Sequence, residues 1–202
     1  MGSEMCIRDR LPGSVLPLYL FEPRYLSLYE DVVDTDRLFG VVLIERGRES
    51  GGDDSRFGYG CVARIVGSAT HENGSVSIVT VGLRRLRVAE WEEPRPYPSA
   101  FVEVLDDDAL SESAIETLQE ASSHLLKLKT LFSELGVDVG VEPPELSDEP
   151  GTAMYQMAQL AGLQSLDLQK ILEADSSDSR ARLTRDLIAD QVELVQLQLS
   201  MG

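Results

Sequence analysis

The sequence is poor in the residues that build metal centres, disulfide scaffolds and membrane spans. Its 202 residues include 2 cysteines, 2 histidines and 1 tryptophan, and aromatic residues make up 6% of the chain. Two isolated cysteines exclude a disulfide-rich scaffold, and the lack of an 18-residue apolar run excludes a membrane-spanning helix. No basic segment followed by an apolar one opens the chain, so we predict a cytoplasmic protein without a signal peptide.

Catalytic motifs are missing as well. The sequence has no G-x-x-x-x-G-K-[ST] phosphate loop and no G-x-S-x-G nucleophile elbow. His71 and His124 have no second ligand at metal spacing, and Cys6 and Cys61 stand alone. We therefore predict no catalytic residue, no metal site, no cofactor and no enzymatic activity.

Basic charge is scarce, since 18 Lys and Arg residues oppose 35 Asp and Glu residues for a net charge of -17. This excess of acid opposes binding to nucleic-acid phosphates. The one basic cluster, Arg84-Arg85-Leu86-Arg87, lacks interleaved aromatic residues that could stack on bases. We expect these arginines to pair with the acidic C-terminal half of the chain.

The charge also divides the chain. Residues 11–105 hold 14 acidic and 10 basic residues, whereas residues 106–202 hold 19 acidic and 6 basic residues. The change falls at Asp106-Asp107-Asp108. We place a boundary there, between a β-rich subdomain at 11–105 and a helical subdomain at 106–202.

Short β-branched runs predict strands in the first subdomain. They cover residues 38–45, 60–66, 76–81, 83–90 and 100–105. Asn73-Gly74 predicts a tight hairpin turn, and Gly82 predicts a bulge or bend. The charged, glycine- and serine-rich segment 46–57 predicts a mobile loop. This pattern favours a small barrel or a curled sheet.

One helix is predicted among these strands. Pro23 suits a first helical position, and the helix should end near Asp34. Apolar side chains follow at positions i, i+3, i+4, i+7 and i+8, which is one helical face: Tyr25, Leu28, Tyr29, Val32 and Val33.

Four helices are predicted in the second subdomain, as in a small bundle. Ser113 and Glu116 form a capping box for the first, Thr152 should cap the second before Gly162 ends it, and Ser165 should cap the third. Segment 136–151 reads as a connector, and the fourth helix follows segment 175–179. The first and last helices carry apolar stripes: Leu118, Ala121, Leu125, Leu128, Phe132 and Leu135, and Leu187, Ile188, Val192, Val195 and Leu199.

One ten-residue run carries a family resemblance. Leu16-Pro17-Leu18-Tyr19-Leu20-Phe21-Glu22-Pro23-Arg24-Tyr25 resembles the L-P-L-x-I-F-E-P-R-Y segment of the Lon substrate-binding, or Lon N-terminal, domain family. Later segments resemble the same family in the same order, at residues 37–43, 60–65, 82–88 and 97–105. The first motif is specific to the family. Each later motif is weak alone, but their shared order along the chain supports the resemblance.

The resemblance implies an α+β fold, in which a PUA-like curled β-barrel with one inserted helix precedes a C-terminal helical bundle. In Lon proteases this domain engages substrate polypeptide and helps to assemble the hexamer. The resemblance therefore implies a non-catalytic module whose partners are unfolded or flexible polypeptide segments, bound on the barrel or between barrel and bundle. Self-association is left open.

The residues that match the family motifs are expected to build the fold. Glu22 and Arg24 are expected to form a polar pair at the helix start, and no residue is assigned to polypeptide contact. The full set comprises Leu18, Phe21, Glu22, Pro23, Arg24, Tyr25, Phe39, Gly40, Gly60, Gly82 and Arg85.

The two ends of the chain differ from full-length Lon proteases. Because no ATPase or peptidase segment follows, we expect a stand-alone bacterial Lon-domain protein. The alternatives are a truncated N-terminal fragment of a Lon protease and an RNA-binding PUA-like protein, which the net charge opposes. At the front only Leu11-Pro12-Gly13 matches the family's opening stretch, so we interpret residues 1–10 as a non-native leader and the family's first strand as absent.

Overall fold

The computed structural model describes residues 11–48, 51–93, 96–137 and 146–201, with the backbone alone for residues 45–48 and 51–55. The predicted leader, with Cys6, lies outside the described residues. Two compact units divide the chain, unit 1 through Asp106 and unit 2 from Asp107. In chain order the elements are β1 (Val15–Leu20), α1 (Pro23–Val33), β2 (Leu38–Arg48), β3 (Gly51–Thr70), β4 (Val76–Trp91), β5 (Ala100–Leu105), α2 (Glu112–Glu134), α3 (Pro150–Leu160), α4 (Ser165–Glu173) and α5 (Ser177–Met201).

Unit 1 is built on an antiparallel sheet in the order β1-β4-β3-β2, with β5 also paired to β4. The long β4 strand pairs with β1 along its first half, where Leu18 lies opposite Ile78. It pairs with β5 along its second half, where Val88 lies opposite Val102. With the helices that follow, this sheet confirms the predicted α+β class.

Two predictions about the strands are wrong in detail. Residues 76–81 and 83–90 form one continuous strand rather than two. The bulge predicted at Gly82 is confirmed, because a register shift there leaves Leu83 as an extra residue opposite β3. Segment 46–57 is largely strand rather than loop. Its backbone continues the β2–β3 ladder, with Arg46 opposite Ser55. A ladder of backbone hydrogen bonds needs no apolar side chains, so composition misled the prediction.

Strand β1 was not predicted at all. Its side chains alternate between buried and exposed from Val15 to Leu20, but Pro17 interrupts the short run. Pro17 is tolerated because β1 lies at an edge of the sheet. The predicted hairpin turn is confirmed, since Gly74 has a φ of 80° between β3 and β4.

Helix α1 begins at Pro23 and ends before Asp34, as predicted. It packs on a buried cluster of the sheet formed by Leu20, Ile65, Val76 and Ile78. Glu30, Asp31 and Asp34 face solvent. One part of the core of unit 1 therefore lies between α1 and the sheet, and a second buried cluster, Leu16, Val41 and Ala63, lies within the sheet itself.

Unit 2 is helical, and its helices α2 and α5 run in the same direction. Ser111 bonds to Asp178 near the start of both helices, and Lys127 bonds to Gln196 near their ends. The predicted seam of α2 is buried through Leu128, but Leu131 replaces Phe132 as its next buried residue. Among the described residues, no helix is both long and apolar enough to cross a membrane.

The caps of three helices differ from the predictions. Ser111, not Ser113, caps α2 by accepting from the Ala114 amide. The Glu149 carboxylate caps α3 by accepting from the amides of Gly151 and Thr152. Burial raises the pKa of Glu149, but hydrogen bonds from Thr152 and Gly151 outweigh it and leave the pKa below its usual value. Helix α4 starts after Gln164 without a side-chain cap, so Ser165 is its first residue.

Candidate functional site

A solvent-open cavity lies in unit 1 between α1 and the sheet. Its volume is about 150 Å³, and its walls come from β1, α1, β2, β3, the two ends of β4, and residues 97–98. Helix α1 turns Tyr25, Leu28, Tyr29 and Val32 toward it. None of the α1 residues is fully buried. An apolar helical face that stays half-exposed indicates that the sheet does not fill the space beneath it.

The cavity wall is apolar, with nine aliphatic and five aromatic side chains. We call this site the aromatic cavity, after its five rings: Tyr25, Tyr29, Phe39, Trp91 and Tyr97. Trp91 is 39% exposed, so part of its ring faces solvent. The guanidinium of Arg56 lies 5.2 Å from the centre of that ring, a cation–π contact.

The hydroxyls of two lining tyrosines are bonded to protein partners. Tyr97 Oη donates to Asp31 Oδ2 at 2.7 Å, and Tyr29 Oη donates to Ser68 Oγ at 2.9 Å. The hydrogen bond to Asp31 raises the pKa of Tyr97 above its usual value. Because both hydroxyls are held by these bonds, the tyrosines offer mainly their ring surfaces to an occupant. Such a site suits apolar groups.

The family-motif residues divide between this cavity and the fold. Leu18, Tyr25, Phe39 and Gly40 line the aromatic cavity, although they were expected only to build the fold. Phe21, which was also expected to build the fold, lies outside the core. Its ring is 52% exposed and stacks on Tyr19 with 6.0 Å between ring centres.

Glu22 and Arg24 form the polar pair predicted at the start of α1. Arg24 Nε donates to Glu22 Oε2 at 2.8 Å. The Arg24 guanidinium also lies 4.7 Å from the centre of the Tyr25 ring. Pro23, which lies between Glu22 and Arg24, is the first residue of α1, so the polar pair lies at the start of the helix that forms one wall of the cavity.

Gly60 and Gly82 lie where other backbone segments approach closely. A Cβ atom on Gly60 would lie 2.2 Å from the carbonyl oxygen of Val41, and one on Gly82 would lie 2.2 Å from that of Leu11. Both contacts are far shorter than van der Waals distances. Arg85 is 6% exposed on β4. None of these three residues lines the aromatic cavity.

The basic cluster is engaged within unit 1. Arg84 Nη1 donates to Asp106 Oδ1 at 3.0 Å, and Arg87 Nη2 donates to Glu103 Oε2. We had expected partners in the acidic segment 106–202. Arg84 has such a partner in Asp106, the first residue of that segment, whereas Arg87 pairs with Glu103 of β5, which the strand register places directly opposite it. In the described part of the chain, no group of three His, Cys, Asp or Glu residues is placed to hold a metal ion.

Sequence reasoning did not identify Trp91 or Arg56 as site residues. Arg56 fell in the segment that was predicted to be a loop, and Trp91 ends a strand among acidic residues. One signal was available, because the only tryptophan of the chain lies between Glu90 and Glu92. An aromatic residue in such a polar segment is a candidate for a partly exposed binding surface.

The comparisons with known proteins all point to the same family. The model of the family "ATP-dependent protease La (LON) substrate-binding domain" matches residues 6–190. Lon protease 2 of Myxococcus xanthus is 29% identical over 190 residues, which are 92% of this chain and 23% of that protein. Lon protease of Anaeromyxobacter dehalogenans is 26% identical over 194 residues, or 92% of this chain and 22% of that protein. The chain thus spans less than a quarter of these curated relatives.

Two solved structures share the fold. The Lon N-terminal domain protein from Xanthomonas campestris has a TM-score of 0.58 and 24% identity, covering 85% of this chain and 88% of its own. The N-terminal domain of the Mycobacterium avium complex Lon protease has a TM-score of 0.60 and 17% identity, covering 90% and 93%. At these identities the likeness concerns the fold alone.

Proposed function

Because the chain belongs to the LON substrate-binding domain family, we propose that it is a non-catalytic module that recognises unfolded or flexible polypeptide through the aromatic cavity. One observation carries the proposal, namely the solvent-open aromatic space beneath the half-exposed helix α1. The family description supplies the class of ligand, and the cavity supplies a surface that suits apolar side chains. We place this activity in the cytoplasm.

The chemistry of the site supports weak, sequence-tolerant binding. Apolar side chains that a folded protein buries are exposed when it unfolds, and aromatic walls gain from covering them. A flexible segment loses conformational freedom when it binds, which costs several kcal/mol. We therefore expect dissociation constants on the order of tens of micromolar.

RNA binding is the less favoured alternative. Arg84 and Arg87 are already paired with acidic side chains of their own unit, and Arg85 is buried. The net charge of -17 adds a general repulsion toward phosphates. These features leave the basic cluster little capacity to hold a nucleic-acid backbone.

The test is a calorimetric titration with two forms of one protein. A reduced and alkylated model protein should bind, and its native, disulfide-bonded form should not, because the native form buries its apolar side chains. Higher salt should leave the affinity unchanged or raise it slightly, since apolar contacts dominate. Equal binding of the two forms, or no binding at millimolar protein, would count against polypeptide recognition.

A pair of variants links the binding to the aromatic cavity. Trp91→Ala removes a wall of the cavity and should weaken binding of the unfolded form about tenfold or more, as loss of a buried aromatic anchor does. Leu166→Ala removes an apolar side chain that is 60% exposed on α4, and it should bind like the wild type. Equal loss in both variants would show that the aromatic cavity is not the site.

A further inference from the structure

The size of the aromatic cavity limits what it can hold. Its volume of about 150 Å³ matches that of an engineered protein cavity that binds one benzene molecule. A peptide segment of several residues needs far more space. Building on the proposed function, we infer that the cavity is a socket for one phenylalanine-sized side chain of an unfolded polypeptide, whose backbone stays outside.

The lining selects an aromatic occupant over an aliphatic one. The chain has 5 Phe, 6 Tyr and 1 Trp residues, and five of these twelve rings line the cavity. Aromatic rings pack against one another edge-to-face or offset, which adds to the gain from burial alone. This geometry should give phenylalanine a roughly fivefold advantage over leucine.

Cationic occupants are excluded by the same lining. Among the described lining residues, Arg56 is the charged one, and its guanidinium is stacked on Trp91. The hydroxyls of Tyr29 and Tyr97 are bonded to Ser68 and Asp31. An ammonium group placed inside would lose its water and meet the positive charge of Arg56 instead of an acidic partner.

The chain's single tryptophan is a partly exposed member of the lining. Trp91 is 39% exposed, so an anchor can enter past its ring while the flanking residues of the polypeptide remain in solvent. Recognition of one anchor requires no fixed sequence around it. The socket therefore explains how one site could accept many unfolded proteins while rejecting folded ones.

Trp91 also provides the measurement, because its emission reports on the socket without a label. We would titrate N-acetyl-phenylalanine amide, N-acetyl-leucine amide and N-acetyl-alanine amide into the full chain. The phenylalanine compound should give a saturable emission change with a dissociation constant of about 1 mM, given its few atoms. Leucine should bind about fivefold more weakly, alanine should not bind, and the phenylalanine amide should displace the unfolded protein.

A filling variant tests the location. Leu28 lines the cavity from α1 and is not part of the buried cluster beneath the helix, so Leu28→Phe should occupy the socket from within and abolish the emission change. Val66→Phe adds the same ring at a position 55% exposed on β3 and should leave binding intact. Circular dichroism and the thermal midpoint establish that both variants are folded.

The outcomes separate this inference from the proposed function. If the unfolded protein binds but the phenylalanine amide neither changes the emission nor competes, the single-residue socket is wrong and polypeptide recognition stands. If Leu28→Phe is folded and still binds the amide, the location is wrong. If the amide binds but the unfolded protein does not, both ideas fail, because the cavity is then a small-molecule site.

Discussion

At the scale of single residues, the strongest polar feature of unit 2 is the burial of Arg180. Its side chain is 1% exposed. Arg180 donates to the Ala174 carbonyl at 2.8 Å, to Ser177 Oγ at 2.7 Å and to Asp107 Oδ1 at 2.9 Å. The other oxygen of Asp107 accepts from Tyr155 Oη at 2.8 Å. One carboxylate thus joins the start of unit 2 to α3 and α5.

We predict that Asp107→Asn destabilises the protein by about 2–3 kcal/mol, because it removes the negative partner of a buried guanidinium. The estimate lies at the low end for buried pairs because the Asp107 side chain is 28% exposed. Urea unfolding followed by circular dichroism measures the change in the free energy of unfolding.

The neighbouring residue provides the control for that change. Asp106 is paired with Arg84, but their side chains are 85% and 59% exposed. Exposed pairs contribute at most about 1 kcal/mol, so Asp106→Asn should have little effect. Similar losses of stability for Asp106→Asn and Asp107→Asn would contradict a special role for the buried network.

At the scale of secondary structure, two glycines allow the strands of unit 1 to approach their neighbours. Gly82 donates its N–H to the Ser14 carbonyl at 2.9 Å, and its own carbonyl accepts from Gly13 N–H at 2.9 Å. These bonds hold the segment before β1 against the centre of β4. The space at Gly82 is taken by the Leu11 carbonyl, which leaves none for a side chain.

We predict that Gly82→Ala and Gly60→Ala each destabilise the protein by about 2 kcal/mol or more, since the added methyl group would force strands apart. Gly67→Ala is the matched control on β3, because a Cβ there meets nothing within 4 Å. It should change the free energy of unfolding by less than about 0.5 kcal/mol. The thermal and urea unfolding midpoints of the three variants measure these changes. If Gly82→Ala is as stable as the wild type, the backbone near Leu11 can move to make room for a side chain.

The spacing of apolar residues predicted the helices and strands that are specified by a short stretch of sequence. The i, i+3, i+4 spacing from Tyr25 to Val32 placed α1, and the run from Ala100 to Leu105 placed β5 with its observed bounds. Caps were less predictable because several residues compete. Ser111 precedes α2 and Ser113 is its second residue, and only the observed start of the helix places Ser111 at the cap that accepts from the Ala114 amide.

At the scale of the whole molecule, the candidate site lies in the less acidic unit and could not be read from the sequence. Its rings lie at positions 25, 29, 39, 91 and 97 and share no period. The register of β4 with β5 sets the place of Trp91, opposite Ala100. The cavity itself depends on the distance between α1 and the sheet, and no local sequence pattern predicts that distance.

Charge acts on the molecule as a whole. The 35 acidic residues exceed the 18 basic ones, and 19 of the acids lie in residues 106–202 with only 6 bases. Like charges repel one another more in a compact state than in an expanded one, so this excess opposes folding. Ion pairs such as Arg185–Glu120 favour folding. Because Glu120 is 61% exposed, however, this pair contributes little to the free energy of unfolding.

We predict that raising NaCl from about 0.02 M to about 0.5 M at neutral pH raises the thermal midpoint by a few degrees, because the shorter Debye length screens the repulsion. The same change near pH 4.4, the isoelectric point of the sequence, should have almost no effect, since the net charge is close to zero there. Differential scanning calorimetry at both pH values makes the comparison within one protein. A midpoint that falls with NaCl at neutral pH would mean that ion pairs outweigh the excess of acid, and the acidic surface would then stabilise the fold rather than oppose it.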